Sequence, residues 1–193
     1  MPLVAEARVK DSDAEYALVD ISEYAQPKDD LSGLEFRCPE CKSAMHIRHT
    51  MLVMAHFAHN PGQDRECSLS EHGGETILHL TAKIRLHEEL RELPLYRGAK
   101  FRKEHWLPEV KRRADLFVEF ADGSFEVHEI QLASTTNEEL EARTNDYRLA
   151  GADEVIWWFG KSADTQAHRA WAKEKIGGYG QVDTYESQTQ ILG

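Results

Sequence analysis

The spacing of hydrophobic positions changes several times along the chain, and the changes outline its parts. Residues 3–9 (Leu-Val-Ala-Glu-Ala-Arg-Val) and 15–22 (Glu-Tyr-Ala-Leu-Val-Asp-Ile-Ser) read as two short strands joined by the turn Lys-Asp-Ser-Asp-Ala. Residues 26–33, with Pro27 and Gly33, read as a loop. After Gly73 and Gly74 the apolar residues Ile77, Leu78, Leu80, Ile84, Leu86 and Leu90 recur at helical spacing and stop before Pro94. Three extended segments follow, near 99–106, 111–120 and 124–132. The last two are separated by Ala121-Asp122-Gly123, a hairpin signal. Thr136 to Ala150 reads as a helix whose acidic first turn (Glu138, Glu139, Glu141) suits the N-terminal dipole. Val155-Ile156-Trp157-Trp158-Phe159 reads as a buried strand, residues 165–176 as a helix, and a short polar strand closes the chain. The order from residue 72 onward is α-β-β-β-α-β-α. The pattern predicts a hairpin at 1–33, a small module at 34–71 and a mixed α/β (α+β) domain at 72–193.

Composition narrows the class. The 193 residues are 41% hydrophobic and 30% charged, which places the chain among ordinary globular proteins. No apolar run approaches the roughly 18 residues of a membrane span. Met1-Pro2-Leu3-Val4-Ala5-Glu6 lacks the features of a signal peptide, so a cytoplasmic setting and no membrane partner are expected. A net charge of -11 argues against a protein that coats nucleic acid non-specifically. The charge is uneven, however. Residues 97–113 carry seven cations, Lys111, Arg112 and Arg113 among them, against Glu104 and Glu109. Such a strip is either a solvated strand surface or a surface for phosphate.

All three cysteines lie between positions 38 and 67. An odd, clustered set without export signals points away from disulfides and toward a metal. Cys38-Pro39-Glu40-Cys41 is a knuckle whose two thiolates can reach one tetrahedral ion. The remaining ligands are expected from Cys67 and a histidine, His59 first and His56 as its substitute. His46 and His49 read as surface residues of the intervening hairpin. Four protein ligands leave no open position, so the zinc would be structural and would supply folding energy to a module too short and polar to fold on apolar burial alone.

A second constellation is acidic. If Ala121-Asp122-Gly123 forms a three-residue loop with Gly123 left-handed, Phe120 faces Ser124 and Asp115 falls opposite Glu129, with Arg113 opposite Gln131. Two carboxylates side by side repel, and a hard divalent cation such as magnesium between them would relieve that. Glu75, His79 and Lys83 share one helix face, with Ile77, Leu80 and Ile84 expected on the opposite side.

At these residues the sequence resembles the CoiA-like competence protein family of the PD-(D/E)xK nuclease superfamily. The matching pieces are Cys-Pro-x-Cys (38–41), His-Phe-Ala-His (56–59), Glu75-Thr-x-x-His79-x-x-x-Lys83, Arg113-Ala-Asp115, Glu129-Ile-Gln131, Arg143-x-x-x-Tyr147 and the Ile156-Trp157-Trp158 strand. The resemblance implies a restriction-endonuclease-like αβββαβ core that cleaves phosphodiester bonds in DNA with magnesium or manganese. Asp115, Glu129 and the Ile130 carbonyl would be ligands, and Glu75 would be an auxiliary ligand or would orient a water. Arg143 and Tyr147 would support the site or touch DNA. The superfamily motif ends in lysine where this chain has Gln131, which is usual among the nearer relatives. Glutamine can orient a water but carries no charge. The cation would then come from Lys83 or from one of Lys111, Arg112 and Arg113. Two further functions fit the same residues: a catalytically weak or inactive nuclease-fold module that binds DNA or assembles with a protein partner or its own copies, and a zinc-stabilised adaptor.

Overall fold

The computed structural model of the chain describes residues 2–50, 53–62, 67, 76–183 and 190–192. They fall into two units, Met1–Leu80 and Thr81–Gly193.

The first unit is one antiparallel sheet of five strands in the order β2-β1-β3-β4-β5. The strands are β1 (Val4–Val9), β2 (Ala17–Asp20), β3 (Leu34–Arg37), β4 (Ala44–Thr50) and β5 (Val53–His59). The hairpin expected at 1–33 and the module expected at 34–71 therefore share a sheet instead of standing apart. Complementary charge explains the junction. The register sets Glu6 opposite Arg37 and Arg8 opposite Glu35, and both pairs are ion-paired. Tyr16 lies against both guanidinium groups, 4.7 Å from Arg8 Cζ and 3.6 Å from Arg37 Cζ. The unit also buries Leu3, Ala5, Ala7, Ile21, Met45 and Phe57. The cysteine segment thus has an apolar core to join, and metal binding is not its sole support. Two local details depart from expectation. The strand expected at 15–22 ends at Asp20, whose carboxylate accepts the Ser22 N–H at 2.9 Å and starts a 3-10 turn over Ile21–Glu23. The loop at 26–33 contains a single helical turn, α1 (Pro27–Asp30), with proline at its first position.

The second unit holds α2 (Ile77–Glu92, whose first residues belong to the other unit), β6 (Lys100–Leu107), β7 (Arg112–Glu119), β8 (Phe125–Gln131), α3 (Asn137–Leu149), β9 (Glu154–Phe159), α4 (Gln166–Lys175), β10 (Tyr179–Gln181) and β11 (Gln190–Leu192). This is the α-β-β-β-α-β-α order expected, within a mixed α/β architecture. The six strands run β11-β10-β9-β8-β7-β6. Strands β6, β7 and β8 form an antiparallel meander, and β8, β9 and β10 are parallel through crossovers carried by α3 and α4. One face packs on α3 and α4 through Phe117, Val127, Leu140, Tyr147, Trp157 and Trp171. The other packs on α2 through Ala82, Leu86, Leu90, Leu116, Ile130 and Trp158. Strand β9 is covered on both faces, which is why its sequence is continuously apolar. Trp157 and Trp158 point to opposite sides and donate to Thr144 Oγ1 (2.9 Å) and His128 Nδ1 (3.0 Å). Gly180 faces Trp158 so closely that an added Cβ would lie 2.1 Å from the indole.

The β7–β8 hairpin has the expected three-residue loop. Phe120 N–H donates to the Ser124 carbonyl at 2.9 Å, and Gly123 is left-handed with φ 88°. The face of α2 differs from expectation. Ile77 is 41% exposed and Ile84 half-buried, whereas Leu80, Lys83, Leu86 and Leu90 are at most 2% exposed. Lys83 belongs to the buried stripe, because a buried carboxylate waits for its ammonium.

Helix α3 starts on a capping box. Thr136 Oγ1 accepts the Glu139 N–H at 3.2 Å, and Glu139 Oε2 accepts the Thr136 N–H at 3.1 Å. Thr136→Ala should lower unfolding free energy by about 1 kcal/mol, measured by urea denaturation. An unchanged midpoint would show that α3 does not depend on this cap.

Candidate active site and metal centre

The ladder between β7 and β8 runs from Glu119↔Phe125 to Leu116↔His128 and stops there. The same register continued by one residue sets Asp115 opposite Glu129. There the side chains take over from the backbone. Glu129 Oε1 accepts the Asp115 N–H at 3.2 Å, and Asp115 Oδ2 accepts the Ile130 N–H at 2.8 Å. Each carboxylate accepts a backbone N–H of the other strand. Asp115 is 9% exposed and Glu129 fully buried.

Helix α3 braces Glu129. Arg143 Nη2 donates to Oε2, and the Tyr147 hydroxyl lies 2.6 Å from Oε1. Arg143 and Tyr147 are four residues apart, so both reach down one helix face. The Tyr147 hydroxyl also lies 3.1 Å from the Arg113 carbonyl. It has one proton for two acceptors. With Glu129 ionised it donates to the carboxylate; with Glu129 protonated it accepts from the acid and donates to Arg113. Burial pushes the Glu129 carboxyl up, Arg143 pulls it down and the charge on Asp115 raises it, leaving it at about 7. Burial works against the Arg143 charge, but Glu129 outweighs it and holds Arg143 above its ordinary value. Burial raises the Tyr147 phenol well above its usual range.

On the other side of Asp115 stands Lys83. Its Nζ is 2.5 Å from Glu104 Oε1 and 3.9 Å from Asp115 Oδ1, and the side chains of Lys83 and Glu104 are each 2% exposed. In the sequence Glu104 stands only as one of two acids within a basic strip, with no motif to mark it as a site residue. The turn between β6 and β7, Pro108 to Lys111, carries no glycine or Asn-Gly signature that would have set the register. An acid flanked by Phe101, Trp106 and Leu107 in a strand was the available signal.

Other expected residues sit elsewhere. The Gln131 amide donates to the Ala133 carbonyl at 2.8 Å, within the loop that leaves β8. Arg112 pairs with Asp146 at 2.8 Å, Arg102 pairs with Glu119 at 2.6 Å, and Lys103 is buried. The basic strip is thus largely neutralised in place. Lys111 is exposed at the β6–β7 turn, and Arg113 lies against Trp106, 5.8 Å from the ring centroid. Glu75 lies outside the described residues; His79 is half-buried one turn before Lys83.

In the first unit Cys38, Cys41, His59 and Cys67 converge, with all four ligand atoms within 4.8 Å of one another. Cys38 Sγ and Cys67 Sγ are 3.7 Å apart, and Cys41 Sγ is 3.3 Å from His59 Nε2. A tetrahedron with metal–sulfur bonds of about 2.3 Å has edges near 3.8 Å, so the cluster fits zinc. The knuckle closes with Lys42 left-handed (φ 62°), its N–H on the Cys38 carbonyl at 3.0 Å. His56 is not part of the set. It is buried, its Nδ1 lies 2.9 Å from the Met54 carbonyl, and burial lowers its pKa. His46 and His49 are exposed, as expected of a hairpin surface.

The family described as "Competence protein CoiA, nuclease-like domain" matches residues 75–176, and "Competence protein CoiA, N-terminal domain" matches residues 23–70. No curated protein matches the chain. One solved structure, "Structure of EndoMS-dsDNA2 complex", aligns at 10% identity over 96% of this chain and 86% of that one, with a TM-score of 0.37. A likeness that loose bears on neither fold nor chemistry.

Two measurements check this geometry. The folded-state pKa of Glu129, about 7, lies above the ordinary 4.5. The folded state therefore binds more protons than the unfolded one between these values. The stability contributed by this group is complete at lower pH and is lost as pH rises through 7, by an amount on the order of 1–3 kcal/mol. In protein without added divalent ions, Glu129→Gln should remove that part of the fall between pH 5 and pH 8 in thermal melts. A variant with the wild-type profile would place the titration elsewhere. Atomic absorption should find about one zinc per wild-type chain and less than about half for Cys38→Ser. A folded wild type free of zinc would refute the cluster as a zinc site.

Proposed function

Because this chain belongs to the competence protein CoiA family, we propose that its second unit is a nuclease that cleaves phosphodiester bonds in DNA with the help of magnesium or manganese. The observation that carries this is the reciprocal contact of Asp115 and Glu129 at the end of the β7–β8 ladder, with a buried lysine beside it. Two carboxylates this close, one raising the pKa of the other, are the donor set a hard divalent cation satisfies. Asp115 and Glu129 would hold that cation, with the Ile130 carbonyl beside them.

A divalent ion held there would lower the pKa of a water and stabilise charge on the phosphate. The chain's own groups have separate tasks. Asp115 and Glu129 supply negative charge at a fixed distance. Arg143 and Tyr147 keep Glu129 oriented through its two oxygens. Lys83 brings the positive charge that the superfamily's lysine would have carried, and its ammonium neutralises a phosphate oxygen. Gln131, turned to Ala133, takes no part in that charge balance. Lys111 and Arg113 are the candidates for phosphate contacts that position DNA without reading sequence. The zinc cluster is structural, since its four protein donors leave no position for a substrate.

One observation favours a second reading. Both oxygens of Glu129 already have donors, and the lysine of the motif is absent. A protein that keeps the fold and binds DNA without cutting it would look the same. Incubation of single- and double-stranded DNA with magnesium separates the two. Asp115→Asn and Glu129→Gln should each lower cleavage at least about 100-fold while the melting profile at pH 8 stays cooperative. Cleavage at wild-type rate by either variant would remove the proposed site, and DNA binding by a wild type that never cuts would establish the second reading.

A further inference from the structure

Glu104 is a buried charged group in the second unit that neither the motif nor the proposed reaction uses. The β6–β7 register pairs Lys103 with Leu116 and His105 with Ala114, which sets Glu104 opposite Asp115. Glu104 is 3% exposed. Its backbone is left-handed in mid-strand, with φ 51°. A non-glycine residue in that conformation is strained and persists only where its surroundings impose it. The neighbours on both sides keep the register, so the distortion is confined to this residue. Its effect is visible in the contacts: the Glu104 side chain meets Lys83 of α2, at 2.5 Å.

The position of the ammonium is the telling detail. At 2.5 Å it is hydrogen-bonded to Glu104; at 3.9 Å from Asp115 Oδ1 it attracts that oxygen without bonding it. A structural ion pair accounts poorly for this. Apolar side chains at both positions would suit a stripe shared with Leu80, Leu86 and Leu90, and a buried pair adds little stability over them. Neither would such a pair need a strained strand residue directly opposite a carboxylate.

We infer that Glu104 is a positioning residue: it holds the Lys83 ammonium beside Asp115 but off it, so that Asp115 stays available to a divalent cation while a positive charge waits one step away for the phosphate. The inference rests on the nuclease reading for its purpose, but not for its measurement. Without the Glu104 charge, Asp115 remains as an anion 3.9 Å from the Lys83 ammonium. The ammonium then moves onto the oxygen the metal needs.

The test is a cycle of Glu104→Gln, Lys83→Met and the double variant in zinc-loaded, full-length protein. Manganese binding is followed by calorimetry, and Asp115→Asn identifies the heat that belongs to this site. Glu104→Gln should weaken manganese binding about tenfold, Lys83→Met should leave it equal or tighter, and the double variant should return to within about threefold of wild type. In DNA cleavage, Glu104→Gln should lose about 10- to 100-fold and the double variant should be no worse than Lys83→Met alone. If Glu104→Gln does not fold, Glu104→Asp takes its place; it keeps the charge but draws it one methylene back from Lys83, so the same order is expected with a smaller loss of manganese affinity. Wild-type manganese affinity in the Glu104 variant overturns the inference. So does a double variant as weak as Glu104→Gln, because Glu104 would then act on the ion itself. A wild type that binds manganese through Asp115 yet cuts no DNA sinks the nuclease reading and leaves the inference to stand on the binding cycle. A wild type with no Asp115-dependent manganese site overturns both.

Discussion

The exchange between Asp115 and Glu129 is the contact on which the rest of the second unit depends. The backbone ladder of two adjacent strands ends one residue before these acids, and there each acid accepts a backbone N–H of the other strand. Buried backbone N–H groups demand acceptors. The carboxylates meet that demand and are held in place by it. Their position is therefore set by strand geometry and not by flexible side-chain packing. Everything around them answers to two buried acids: Arg143 and Tyr147 from α3, Lys83 from α2.

The layering of the sheet follows from the same demand. Helix α3 must lie where residues 143 and 147 reach Glu129, and α2 where residue 83 reaches Glu104. Apolar packing supplies the adhesion on both faces, through Trp157 and Leu140 on one and Trp158 and Leu86 on the other. It is indifferent to sliding by a fraction of a turn. The charged contacts are not, since an ammonium moved away from its carboxylate inside a core leaves both uncompensated.

The first unit solves a different problem. Its sheet is small, and its strands β1 and β3 are matched by charge as much as by apolar area, with Tyr16 against two guanidinium groups. Three thiols and an imidazole gather where the knuckle, the β5 end and Cys67 meet. A metal bound there would join residues distant in sequence and add its binding free energy to that of folding. With a metal in that cluster the unit would combine an apolar core with a chemical crosslink, and neither would have to carry the fold alone.

Much of this was legible in the amino-acid order. Helix and strand periods gave the succession α-β-β-β-α-β-α, because each element buries one regular stripe. The hairpin signal Ala121-Asp122-Gly123 set the β7–β8 register, since a left-handed glycine closes a three-residue loop in one way, and the register placed Asp115 opposite Glu129. Cysteine spacing singled out Cys38, Cys41 and Cys67. Local sequence could not choose between His56 and His59, two residues three apart on one strand; the tertiary fold did, by turning one ring toward the sulfurs and the other to a carbonyl. Nor could it merge the N-terminal hairpin with the cysteine segment, a pairing between strands some thirty residues apart in sequence. Glu104 was hidden for the same reason. Its role exists only where β6, β7 and α2 meet, and no period or spacing in a single stretch of chain records which distant lysine a buried acid will find.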